Sequence, residues 1–237
     1  MSAAISSETG DHVPESKFGM WFLRTGTWTR HVLQRAIIDL ERLIPSRQAS
    51  YPVILDVGCG WGRSFKLLHD RFRPERMIGV DIDDTMVEAA AGEAAKHGLT
   101  VEVRRGSSSR LPVPSESADM ILCHQTFHHL MDQHEALAEF HRVLKPGGLL
   151  LFAESTRKYI HSWLIRLLFR HPMNVQRSAE EYLSMLREAG FAVEPAQISL
   201  PYLWWSRADL GIMERVLGIA PPADREETLL NLVAIRR

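Results

Sequence analysis

The stretch LDVGCGWGRS, residues 55–64, sets glycines at 58, 60 and 62 directly after an apolar run and ahead of an amphipathic one. Missing side chains let a backbone turn tightly there and approach a ligand within contact distance. Asp81 ends the next apolar run, 19 positions after Gly62, where a carboxylate accepts hydrogen bonds from ribose hydroxyls. Gly58, Cys59, Gly60 and Asp81 thus describe a nucleotide-type cofactor site. Two details choose among cofactors. The spacing is G-x-G-x-G, not the G-x-G-x-x-G that sets a helix N-terminus against a pyrophosphate. Asp56 also stands at the mouth of the loop, where its charge repels phosphates and suits cationic amino and sulfonium groups. S-adenosyl-L-methionine therefore fits better than NAD, although Asp56 as a plain cap for local amides stays open.

A second cluster follows in CHQTFHHL, residues 123–130. A histidine just past a buried strand can take a proton or orient a substrate. His124, nearest the strand end, is the first catalytic candidate and His128 the second; packing roles stay open for both. The H-x₃-H-H spacing lacks supporting acids, so no metal is expected. Cys59 and Cys123 have no adjacent activating base and fit small packing residues.

The elements around these residues alternate. VILDV (53–57), MIGVDI (77–82), VEVRR (101–105), ADMILC (118–123), LLLFAES (149–155) and LLNLVAIRR (229–237) are strand-like. Helical spacing runs over 28–44, 61–72 and from Asp83 or Asp84 to His97, closed by Gly98. Asp132 with Glu135, and Ser178 with Glu181, have capping-box spacing for two later helices. Pro146-Gly147-Gly148 has turn composition. This alternation predicts an α/β fold with a doubly wound, mostly parallel sheet, whose ligands collect at the strands' C-terminal ends.

Four ordered segments also resemble a known family. LDVGCGWGRS, IGVDID, RGSSSRLPVPSESADMILCHQTFHHL and FHRVLKPGGLLLFAES are similar to the successive motifs of class I (Rossmann-like) S-adenosylmethionine-dependent methyltransferases, in the small-molecule, ubiquinone-type branch. The resemblance covers about residues 50–155. It implies a seven-stranded sheet in a single domain over 15–237, with N-terminal cap helices at about 15–45 and a helical lid insertion at about 156–177. It further implies Gly58 and Gly60 against the methionine moiety, Asp56 orienting its amino group, and the backbone near Cys123 meeting that amine. Asp81 takes the ribose hydroxyls and Ile82 packs on the adenine. Where the family usually has an acid for the adenine amino group, this chain has Ser107, flanked by Ser108 and Ser109. A neutral hydroxyl is a weaker partner there, and Ser107 also fits plain turn chemistry.

Composition narrows the acceptor. Lys and Arg total 28 against 29 Asp and Glu, so no basic field for nucleic acid exists. No Asn-Pro-Pro-Tyr-like sequence follows the fourth strand, no Pro-Cys nucleophile is present, and two cysteines are too few for arsenite-type chemistry. A small, partly apolar organic acceptor remains. A cofactor-binding partner subunit without transfer activity, or an NAD-dependent oxidoreductase, are the competing functions. Two cysteines, no signal-like N-terminus and no long apolar run point to a cytoplasmic protein without a transmembrane segment. Residues 1–14 are small and polar and fit a disordered tail. In 157–171, Ile160, Trp163, Leu164, Leu167 and Leu168 share one face of a single expected helix. That helix fits a lid, a subunit contact or a peripheral membrane contact.

Overall fold

The computed structural model describes residues 15–207, 210–222 and 224–237; the expected tail lies outside them. Eight strands form one sheet: β1 (Val53–Val57), β2 (Arg76–Asp81), β3 (Val101–Arg105), β4 (Ala118–His124), β5 (Leu144–Ser155), β6 (Phe191–Ala192), β7 (Ile198–Ser199) and β8 (Leu229–Arg236). Their order is β3-β2-β1-β4-β5-β8-β6, with β7 also paired to β8. Strands β1 to β5 run parallel and β8 is antiparallel to its neighbours. The expected seven becomes eight because the edge segment breaks. A 3-10 turn at Pro195–Gln197 divides it into two short pieces, and proline removes a ladder donor.

Continuous apolar runs build the central strands because both of their faces are covered. On one face Ile54, Met120, Leu122 and Leu151 pack with Ile37, Leu40, Phe65 and Leu68. These come from α3 (Gln34–Leu43) and α4 (Phe65–Phe72), both preceded by α1 (Lys17–Phe22) and α2 (Gly26–Trp28). On the other, Leu55, Val57, Ile121, Cys123 and Phe152 pack with Phe127, Phe140 and Tyr182. Phe140 belongs to α6 (Gln133–Val143) and Tyr182 to α9 (Ala179–Glu188); α5 (Asp84–Lys96) lies between α4 and α6 in sequence.

Local signals explain most boundaries. Asp83 accepts from the Thr85 amide at 2.7 Å and caps α5, and Ser178 with Glu181 forms the expected capping box. Asp132 makes no side-chain cap, so the second expected box does not form. The first long helix contains a π-helical stretch at Thr29–Leu33 between α2 and α3. The turn-like Pro146-Gly147-Gly148 is absorbed into β5 with a register shift opposite Ala118 and Met120.

The segment 157–171 differs from its expected form. It makes two short helices, α7 (Arg157–Ile160) and α8 (Trp163–Leu168), separated at Ser162, whose backbone is extended. Ile160 and Ile165 are buried, whereas Trp163 and Leu167 are 69% and 72% exposed. The break rotates the buried face away from the stripe read along a single helix. No helix among the described residues is long and apolar enough to cross a membrane.

Gly79, opposite Asp56 in the β1–β2 register, lets α4 sit down on the sheet. A Cβ there would lie 2.7 Å from Phe65 Cζ and 3.1 Å from Cys59 Sγ. Overpacking of this kind costs about 1–3 kcal/mol, so Gly79→Ala should lower stability by that amount in urea unfolding. An unchanged midpoint would contradict the packing described.

Candidate active site

The strand order reverses between β1 and β4, and a crevice opens beyond the carboxyl ends of strands at such a point. A cavity of about 310 Å³ lies there. Its floor is the turn after β1. Gly58 and Gly60 have φ of +71° and +51°. A Cβ at Gly58 would lie 2.3 Å from the Thr126 side chain, whereas one at Gly60 would meet nothing within 4 Å. The first glycine is therefore required by packing, and the second leaves open space above the backbone. The Gly58 and Cys59 amides donate to the Val80 carbonyl at 2.8 and 3.1 Å, tying the turn to β2.

Asp81 completes that tie. Its Oδ2 accepts from the Gly60 amide at 2.8 Å and its Oδ1 from the Asp83 amide at 3.1 Å. Each oxygen keeps further acceptor capacity. Burial raises the Asp81 carboxyl above its ordinary value. Asp56 is 3% exposed, with the Ser64 hydroxyl donating to its Oδ2. Burial pushes its pKa up to about 7; the Ser64 bond opposes this and the charge of Asp81 adds to it. Two carboxyl groups thus share one cavity. Arg63, the guanidinium on the wall, is paired with Glu93 at 3.1 Å. Such a cavity repels a pyrophosphate and gains from a cationic ligand.

Asp56, Gly58, Cys59, Gly60, Asp81, Ile82, Ser107, Ser108 and His124 all line this cavity. The Ser107 hydroxyl lies 2.8 Å from that of Ser109, so part of its capacity is used locally. Cys123 does not line it. Strand alternation turns the thiol to the opposite face, where Sγ lies 3.6 Å from Glu154 Oε1. Its neighbours Leu122 and His124 face the cavity instead. Burial holds both thiols well above their ordinary values, which agrees with packing roles.

The histidines separate. His124 is 8% exposed, its ring edge-on to Trp28 at 5.6 Å, and its Nε2 has no hydrogen-bond partner. Burial, with a smaller contribution from His128, lowers its pKa to about 3. His128 is buried outside the lining, and its Nδ1 donates to Glu154 Oε2 at 2.6 Å. Glu154, fully buried, also accepts the Thr126 and Phe127 amides at 2.9 and 2.8 Å. Sequence reasoning passed over Glu154 and the lining contributed by Met20, Leu23 and Leu33. A buried acid at a strand's carboxyl end was the available signal for the first. The others come together only by folding.

These features define a Rossmann-like α/β fold with an acidic cavity at the switch point of its sheet. The methyltransferase domain family matches residues 55–152. A Mycolicibacterium smegmatis protein named "Probable S-adenosylmethionine-dependent methyltransferase" is 33% identical, covering 60% of this chain and 52% of that protein. The demethylmenaquinone methyltransferase of Deinococcus radiodurans is 32% identical, covering half of each. The chain thus spans about half the length of these curated relatives. A solved methyltransferase structure from Aquifex aeolicus superposes with a TM-score of 0.64 at 18% identity, covering 92% of this chain and 97% of that one, which establishes the fold. Residues 55–152 of this chain thus match the methyltransferase domain family, on the fold of class I S-adenosylmethionine-dependent methyltransferase structures.

The residues lining the cavity fit S-adenosyl-L-methionine, for which Asp81 would hold the ribose, Ile82 with Ser107 and Ser108 the adenine, and Asp56 with the glycine turn the methionine end. Because a cation favours the ionised form of Asp56, ligand affinity depends on pH. The affinity for S-adenosylhomocysteine should rise between about pH 6 and pH 8, by at most about tenfold per unit, and Asp56→Asn should flatten the rise. Calorimetry giving a flat profile for the unmodified protein would remove Asp56 from the binding account.

Proposed function

We propose that this chain transfers a methyl group from S-adenosyl-L-methionine to a small, partly apolar organic acceptor. The observation that carries the reading is the cavity wall facing the glycine turn. Met20, Leu23, Trp28, Leu33 and Leu130 line the cavity together with His124, whose Nε2 is buried without a hydrogen-bond partner. That wall suits an apolar molecule bearing one hydrogen-bond donor. When bound, the cofactor supplies a methyl group already activated by its sulfonium. The protein's task is then mainly to bring the acceptor into line and keep water out. The N-terminal helices cover the cavity, and His124 accepts a hydrogen bond from the acceptor.

His124's low basicity favours orientation over proton abstraction. Efficient general bases have pKa values near the working pH, and burial holds this imidazole at about 3. His128, engaged with Glu154 away from the cavity, acts by positioning the turn that carries Thr126. Exposed Trp21, Trp163 and Leu167 support supply of the acceptor from an apolar phase, including brief contact with a membrane surface. Both cysteines are free and buried, which supports a reducing, cytoplasmic setting.

Turnover tests the proposal: a library of small acceptors should yield S-adenosylhomocysteine with at least one. Tight cofactor binding without product from any acceptor would favour a non-catalytic partner subunit. With a working acceptor, His124→Gln should retain kcat within about tenfold while KM rises. The wild-type rate should show no inflection from His124 between about pH 5 and 8. A kcat loss of about 10²–10⁴-fold in His124→Gln would instead make it the general base.

A further inference from the structure

Folding assembles a group that chain spacing did not suggest. His128 and His129 lie on a short 3-10 turn after β4 (Phe127–His129), and His171 comes from the segment after α8. The rings stand 4.4 Å (His128–His129), 5.1 Å (His128–His171) and 4.7 Å (His129–His171) apart between centroids. One nitrogen from each lies within 4.8 Å of the other two. We propose that His128, His129 and His171 form a binding site for a divalent first-row transition metal of the zinc type.

Three observations carry this beyond clustering. The carboxylate of Glu154 takes the His128 Nδ1 hydrogen at 2.6 Å, which fixes the ring and leaves Nε2 as the nitrogen free to ligate. A carboxylate behind a histidine is the usual outer support of such ligands. The two ligand-bearing segments are also locked together by buried amides. Gln176 Nε2 donates to the His128 carbonyl at 2.8 Å and to the Pro172 carbonyl at 2.7 Å. Gln133 Nε2 does the same for Phe127 at 3.3 Å and Val175 at 3.1 Å. The backbones are therefore tied together, with nitrogens within 4.8 Å of one another where a metal bonded at about 2.0–2.1 Å would draw them to about 3.3 Å.

The donor set selects the metal. Imidazole nitrogens suit zinc, nickel, copper and cobalt, whereas magnesium and calcium require oxygen cages. The absence of supporting acids, which argued against a metal from spacing alone, is made good by Glu154, and the third nitrogen by His171. Three ligands leave a position for water or for a donor atom of an incoming molecule. Since His129 also lines the cofactor cavity, the metal would stand in its wall. The inference holds whether or not the chain transfers methyl groups.

Chelator-treated full-length protein titrated with zinc should bind one equivalent with submicromolar affinity in calorimetry. Cobalt should give the intense visible absorption of a four- or five-coordinate centre. His171→Ala should weaken zinc binding at least about 30-fold and abolish the cobalt spectrum, while S-adenosylhomocysteine affinity stays unchanged. His161→Ala, on the same cap but outside the cluster, should behave as wild type. Failure of the unmodified protein to bind zinc stoichiometrically would overturn the proposal without recourse to any variant. Equal zinc affinity in wild type and His171→Ala would overturn it too.

Discussion

The carboxyl groups of buried Asp56 and half-buried Asp81, in one cavity with little on the protein to balance them, govern how the rest of the site is arranged. Asp56 has a single hydroxyl donor in Ser64, and Asp81 is held by two backbone amides. Burying acids without cationic partners is costly, and burial accordingly raises both of their pKa values. A cationic ligand relieves that cost, and an anionic one aggravates it. The proposed preference for a sulfonium cofactor over a dinucleotide therefore rests on electrostatics. The glycine turn supplies clearance, and Asp81 links it to β2 so that clearance and charge are set by one structure.

A third acid works on the other side of the switch point. Glu154, on β5, gathers the amides of Thr126 and Phe127 and the ring of His128. That fixes the turn after β4, and with it the Thr126 methyl and hydroxyl that press against Gly58. The two loops at the carboxyl ends of β1 and β4 are thus in register through side-chain contact. Removing the Glu154 carboxylate would leave buried donors unpaired, which costs about 1–3 kcal/mol for each group.

Legibility in the sequence followed the range of the interactions. The glycine turn, Asp56, Asp81 and the strand–helix alternation were readable because each rests on neighbours within one βαβ unit. The resemblance assigns the backbone near Cys123, not its thiol, to the methionine amine, and His124 reads as a catalytic side chain. The two-residue period of a strand sends the two side chains to opposite faces, and Asp56 and His124 fall on the same one. Asp132 had the spacing of a cap but not its geometry, and the stripe along 157–171 assumed one helix where Ser162 interrupts two. The meeting of His171 with His128 and His129 depends on contacts across dozens of residues, and no local pattern announces it.

The most direct test of the central claim is a crystal structure of the protein with S-adenosylhomocysteine. The account predicts the adenosyl group in the cavity between β1 and β4, with the Asp81 carboxylate accepting both ribose hydroxyls. It also places the adenine against Ile82 and the amino group on the Asp56 side of the glycine turn. A ligand bound elsewhere on the molecule, or bound with its ribose away from Asp81, would contradict it.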